Sequence, residues 1–220
     1  MIKAETLTFI KDVAENNDRD WFAANKDRYE TSREDVLSFI EELIPLLAAT
    51  DPIFSIDTPA KKCLMRIYRD VRFSKNKDPY KNNYGISFNV KSNGVPNPEY
   101  YLHLQPGKSF FGVGFWMPEA PVLKKIREEI DYNATEFLEI INAKDFTNTF
   151  SLSKDDTLKN APKGYEIDHP QINWLKLKSY IAIYPLTDKD ILSAGINDKL
   201  KKAFEGIQPF VHFLRNAVSQ

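Results

Sequence analysis

The hydrophobic period of this chain changes repeatedly, and no all-helical or all-strand fold accommodates the changes. In the first fifty residues apolar side chains recur at helical spacing: Leu7, Ile10 and Val13, then Val36, Phe39, Ile40, Leu43 and Ile44. Steps of three and four residues put such side chains on one helix face. The first run ends near Asn16-Asn17 and the second before Asp51-Pro52. From Ile86 the period drops to two: Ile86, Phe88 and Val90 alternate with Ser87, Asn89 and Lys91, the pattern of a half-buried strand. EYYLHLQ and KSFFGVGFW follow as strand-like runs joined by Pro106-Gly107, a strong turn dipeptide. Helical spacing returns at Val122, Ile126 and Ile130, and at Phe137, Ile140 and Ile141. After a loop-rich stretch from 150 to 172, LKSYIAIYPL reads as a further strand and the tail from Asp188 as helix. This order predicts an α+β fold, with a central, mainly antiparallel sheet and helices from both ends of the chain packed on one face.

No repeat, low-complexity tract or Gly/Ser linker divides the sequence, so residues 1–220 are expected to form a single domain. A chain of this length buries about 70% of the surface its unfolded form exposes and needs no covalent staple. Cys63 is the single cysteine, which excludes an internal disulfide and fits a reducing compartment. The opening MIKAETLTFIKDVAEN mixes charges into its apolar positions, and no run is long enough to span a bilayer. The expected setting is cytoplasmic, with no membrane contact.

Pairing the strands across Pro106-Gly107 sets Gln105 opposite Lys108 and His103 opposite Phe110. Alternation then gives one side of the sheet to Glu99, Tyr101, His103, Phe110, Gly112, Gly114 and Trp116. The other side takes Tyr100, Leu102, Leu104, Phe111, Val113 and Phe115, which form the core. The first side carries aromatics, a histidine and two glycines that leave space beside them.

The charge is unevenly placed. Between Lys61 and Lys81 stand eight cations against two aspartates, so a local +6 leaves −7 for the rest of a chain whose net charge is −1. Arg66, Arg69, Arg72 and Lys75 fall every third residue in LMRIYRDVRFSKNKDPYK. On a strand Arg66, Tyr68, Asp70 and Arg72 point one way, and Arg69 joins the apolar row of Ile67, Val71 and Phe73. A guanidinium so placed requires a carboxylate from the protein or a bound anion. If the strand stops near residue 70, the remainder is a basic loop bordering the polar sheet face. Three readings compete: an anion or phosphate site, since arginine forks match phosphate oxygens; a structural ion-pair network; and a protein-docking patch.

Other motifs carry less. His103 titrates in the right range for a general acid or base, although a lone strand histidine is more often structural. Cys63, His103, His169 and His212 show no metal-ligand spacing, so no metal is expected. Gly112-x-Gly114 lies inside a strand, lacks a third glycine and opens no helix, so it is no dinucleotide fingerprint. No cofactor is expected.

The stretches NNDRDWFAANKDRY, RIYRDVRFSKNKDPYK, YYLHLQPG, GVGFWMPEAPVLKKIR and APKGYEIDHP cover most of the chain in order. In them the chain resembles the widespread bacterial family of conserved hypothetical proteins known as domain of unknown function 2461. That resemblance implies a cytosolic α+β domain and brings no established activity. The family's recurrent motif would map onto Arg66, Arg69, Asp70, Arg72, Phe73, Ser74, Lys75, Lys77, Pro79, Tyr80 and Lys81. Asn76 and Asp78 stand where the family often shows Asp and Thr, which weakens a catalytic reading of the loop.

The expected function is binding of a phosphorylated or other anionic small molecule, with any reaction left open. Arg66, Arg69, Arg72, Lys75, Lys77 and Lys81 would hold the anion, with Ser74 and Tyr80 as hydroxyl partners. Tyr68, Tyr101 and Trp116 would line the apolar part. His103 is the candidate proton-transfer group, and Asp70 a second, although flanking arginines suit it better to orienting them. Single-stranded nucleic acid is the alternative, with rings stacking bases beside a basic loop, and the acidic remainder of the chain disfavours it. An interaction module with internally paired cations is the third reading, and no particular protein partner is indicated.

Overall fold

The computed structural model describes residues 1–90 and 94–219. In chain order these form α1 (Ala4–Glu15), α2 (Arg19–Ala24), α3 (Lys26–Thr50), α4 (Ala60–Cys63), β1 (Tyr84–Phe88), β2 (Glu99–Leu104) and β3 (Ser109–Phe115). Then come α5 (Ala120–Tyr132), α6 (Ala134–Asn142), α7 (Lys144–Thr147), β4 (Ser151–Leu152), α8 (Ile172–Leu175) and β5 (Tyr180–Leu186). The chain closes with α9 (Asp188–Ile191), α10 (Ile196–Gly206) and α11 (Gln208–Ser219). The fold is α+β, with an open antiparallel sheet of five strands in the order β1-β2-β3-β5-β4. Among the described residues no helix is long and apolar enough to cross a membrane.

The chain divides into two compact units, each assembled from three separate stretches. The first comprises Met1–Phe88, Tyr101–Phe111 and Pro185–Lys202. Here the stripe Leu7, Ile10 and Val13 of α1 is buried together with Val36, Phe39, Ile40, Leu43 and Ile44 of α3, and the two helices pack on each other. Lys3 at the start of α1 offers no side-chain cap. Asp35 of α3 supplies one instead: its Oδ2 accepts the Lys3 N–H (2.9 Å) and the Thr6 hydroxyl (2.6 Å). A carboxylate there also suits the positive end of the helix dipole. RDWFAANKDRYE forms α2 and the start of α3, and its rings gather around Phe9, with Trp21, Phe22 and Tyr29 at 6.1–6.2 Å between centroids.

β1 departs from the expected half-buried strand. All five of its residues are buried, Ser87 included, and it ends at Phe88, before Val90. The cause is a flanking segment: Leu64 bridges to Ile86, and the Met65 N–H donates to the Gly85 carbonyl at 2.9 Å. A Cβ on Gly85 would lie 2.8 Å from the Tyr101 hydroxyl and 2.9 Å from Met65 Sδ. Lys91, placed by alternation on the polar side, lies outside the described residues. The Pro106-Gly107 turn forms as expected: the Lys108 N–H donates to the Gln105 carbonyl (2.9 Å), and Gly107 takes φ +71°. Proline then glycine at the two central positions suits a turn that needs positive φ at the second.

The second unit comprises Asn89–Tyr100, Gly112–Tyr184 and Ala203–Gln220. α11 packs on α5 and α6, and Phe137 lies between Trp174 and Phe213, with centroids 5.9 and 5.4 Å away. β4 pairs with β5 through Ser151 opposite Ile183 and Leu152 opposite Ala182. Gly114 corrects an expectation. A Cβ there would sit 1.9 Å from the Tyr180 carbonyl oxygen, so the backbone of β5 fills the space the glycine leaves.

Candidate functional site

Residues 64–69 do not make a full strand. They run antiparallel to 79–86 in a ribbon with isolated bridges at Leu64–Ile86 and Tyr68–Tyr80. The Lys81 N–H donates to the Ile67 carbonyl (2.7 Å) and the Arg69 N–H to the Pro79 carbonyl (2.9 Å). Alternation survives through Arg69: Arg66 and Tyr68 are exposed, Ile67 is buried and Arg69 half-buried. It fails at Phe73, which is 97% exposed, because the chain has by then turned into a loop.

That loop is braced by its own charges. Arg72 forks onto Asp70, with Nε 3.0 Å from Oδ1 and Nη2 2.6 Å from Oδ2, and the Arg72 N–H donates to the same carboxylate at 3.2 Å. These bonds hold the Asp70 carboxyl below its usual range, which makes it a weak proton acceptor. Arg69 donates to the Asp78 carbonyl (3.0 Å) and the Ser74 hydroxyl (3.5 Å), with the Asp78 carboxylate 4.0 Å away. The Lys77 ammonium reaches the Val71 carbonyl at 3.0 Å. Asn76 and Asp78, where the chain departs from the family pattern, bond reciprocally: Asn76 Nδ2 to Asp78 Oδ2 and the Asp78 N–H to Asn76 Oδ1, both 2.8 Å.

Arg66, Lys75 and Lys81 stand apart. None of the three side chains has a hydrogen-bond or ion-pair partner among the described residues. The ribbon sets Lys81 opposite Ile67, the residue after Arg66, and Lys81 is half-buried. Burial, and then the charge of Arg66, lower its pKa from the ordinary lysine value.

An aromatic cluster backs the ribbon. The Tyr80 ring stacks on Phe22 at 3.9 Å and 10°, and Tyr68 lies 5.5 Å from Tyr80 with half its surface open. Asn17 pins this arrangement: its Nδ2 donates to the Tyr80 carbonyl and its Oδ1 accepts the Tyr80 N–H, both at 3.0 Å. The side-chain amide thus replaces a strand neighbour.

His103 stacks on Phe110 at 4.9 Å and 12°, as the strand pairing expects. Its Nε2 lies 2.9 Å from Gln105 Oε1, and its Nδ1 lies 3.1 Å from the Tyr101 hydroxyl and 3.4 Å from Asn83 Nδ2. An amide oxygen only accepts, so Nε2 carries the proton and Nδ1 receives the other two bonds. Burial lowers the His103 pKa, partly offset by the Gln105 bond. Trp116 belongs to the second unit, where it is 72% exposed beside Met117. As site residues Asn17, Asn83 and Gln105 escaped the sequence reading: side-chain amides carry no periodic signal, and those of Asn17 and Asn83 act through long-range pairing, whereas Gln105 meets His103 two residues away. Among the described residues no group of three or more His, Cys, Asp or Glu side chains is placed to hold a metal. Cys63 is buried, and burial pushes its thiol up to about 11.

A braced basic loop, an ordered aromatic cluster and a half-buried histidine network define a family better than they define a reaction. The chain belongs to the conserved hypothetical protein family DUF2461, whose model matches residues 5–213. No curated protein and no solved structure matches it.

Proposed function

We propose that the chain binds a small phosphorylated or otherwise anionic molecule at Arg66 and Lys81, with Lys75 as an outlying contact and the open face of Tyr68 for its apolar part. One observation carries this reading: Lys81 is half-buried and close enough to Arg66 to feel its charge, and neither side chain has a hydrogen-bond or ion-pair partner among the described residues. Like charges so placed repel each other, and a bound anion relieves that repulsion. Arg69, Arg72 and Lys77 then shape the loop, since their donors are already engaged. The network reading and the ligand reading thereby divide the cations between them. His103 and Asp70 do not point to a particular reaction, so the proposal is binding, in a cytoplasmic setting that the buried thiol of Cys63 suits.

The test is thermal unfolding with pyrophosphate as probe, in the parent and in Arg66→Gln, Lys81→Met and Arg72→Gln. At a hundredfold excess over its Kd a ligand specific for the native state adds about 2.7 kcal/mol. The shift should vanish in Arg66→Gln and Lys81→Met and persist in Arg72→Gln. An undiminished shift in the first two, or no shift in the parent, rejects the site.

A further inference from the structure

Within the first unit, the rings around residue 68 decide what the apolar part of an anionic ligand can be. Tyr80 is 6% exposed and lies flat on Phe22, and Asn17 bonds both its N–H and its carbonyl. Tyr68 meets these two rings at a tilt, 49° to Tyr80 and 53° to Phe22, with centroids 5.5 and 6.2 Å away. Its backbone is held as well: residue 68 bridges to residue 80, with ribbon bonds from the Arg69 and Lys81 N–H groups on either side. Tyr68 is nevertheless 52% exposed. A ring fixed from one side and open on the other offers a plane rather than an enclosure.

A plane selects among apolar groups. An aliphatic chain gains in proportion to the surface it removes from water, and one half-open ring covers little of a chain. A flat aromatic group instead covers a whole face in a single stack. Nucleobases are such groups, and each of them has a face that an aromatic side chain can stack on.

The cations place the charge of such a ligand close to its ring. Arg66 precedes Tyr68 by two residues, so their Cα atoms lie no more than about 7 Å apart. The Lys81 N–H meets the carbonyl of Ile67, the residue between those two. In a nucleoside monophosphate a single sugar separates phosphate from base, a step of the same order. A longer strand would need further cations along its phosphates, and Arg69, Arg72 and Lys77 are engaged within the loop. We propose that the ligand is a nucleoside monophosphate, its phosphate held by Arg66 and Lys81 and its base stacked on Tyr68. This inference rests on the reading of Arg66 and Lys81 as an anion site, and adds the class of molecule that fills it.

Calorimetric titration of the full chain with adenosine monophosphate, ribose phosphate, adenosine and pyrophosphate tests it. Adenosine monophosphate should bind about tenfold tighter than ribose phosphate, within what stacking one base contributes. Adenosine, which lacks the phosphate, should also bind at least about tenfold more weakly. Tyr68→Leu should close the gap between the two phosphates, and Tyr68→Phe should preserve it. The comparison in the parent needs no substitution, so it decides the matter even where Tyr68→Leu fails to fold. If pyrophosphate binds but ribose phosphate matches adenosine monophosphate, or the gap survives Tyr68→Leu, the nucleotide assignment falls and the anion site stands. If none of the four compounds binds, both fall. An oligoadenylate that binds far tighter than the monophosphate, and loses affinity steeply with added salt, would overturn the assignment in favour of nucleic acid.

Discussion

His103 has every ring nitrogen assigned, and the assignment fixes how its environment answers pH. With Nε2–H on Gln105 and Nδ1 receiving Tyr101 and Asn83, protonation would put a hydrogen where two donors already point. Its folded pKa lies below 6.5, so the unfolded chain binds the proton more readily. The stability contribution is therefore complete above pH 6.5 and is lost as pH falls through the lowered folded value. Urea unfolding between about pH 7.5 and 5 should show stability falling more steeply in the parent than in His103→Phe. Equal slopes would mean that the network tolerates the charged ring. Asp190 does not interfere: its bond from Lys199, then those from Thr187, hold its carboxyl at about 2, below the window. The facing of His103 and Phe110 was legible from alternation and the turn dipeptide, because both are local signals. The engagement of its two nitrogens was not, because Asn83 is brought in by strand pairing. Likewise the three-residue spacing of the arginines marked a basic segment but could not reveal that Arg72 closes on Asp70, since that pairing depends on where the ribbon gives way to loop.

Elements here are positioned by backbone proximity as much as by apolar stripes. At Gly114 the carbonyl of Tyr180 stands where a side chain would begin, and φ of +143° adds a second reason for glycine. Gly114→Ala must push β5 off β3, and should cost about 3 kcal/mol, at the upper end of ordinary overpacking. Chemical denaturation measures this directly, and a loss below about 1 kcal/mol would mean that the strands separate without penalty. The long helices and β2, β3 and β5 could be read from periodicity, because each spans several repeats of its pattern. β4 could not: Ser151–Leu152 is two residues long and exists as a strand only through its pairing with β5. β1 was recognised, but its burial on both faces was not, since the cover comes from Leu64 and Met65, which follow no strand pattern of their own.

At the scale of the molecule, the sequence shows no linker because each unit draws on three separated stretches. The first unit joins Met1–Phe88 to Pro185–Lys202 through bonds from the Ile2 N–H to the Ile191 carbonyl (3.3 Å) and from Asn197 Nδ2 to Glu42 Oε2 (2.8 Å). A fragment of residues 1–111 holds two of its three stretches and should show no cooperative thermal transition. A sharp transition by circular dichroism would show that the third is dispensable. This interleaving has a bearing on biosynthesis. As the chain leaves the ribosome amino end first, α1 and α3 emerge long before Pro185–Lys202 exists, so the first unit cannot close until that third stretch has been made. Until then the earliest helices wait with part of their partner surface unmade, the interval in which a chaperone would find most to hold. Protease protection of α1 and α3 on stalled nascent chains should therefore appear late and abruptly, once residue 202 has cleared the exit.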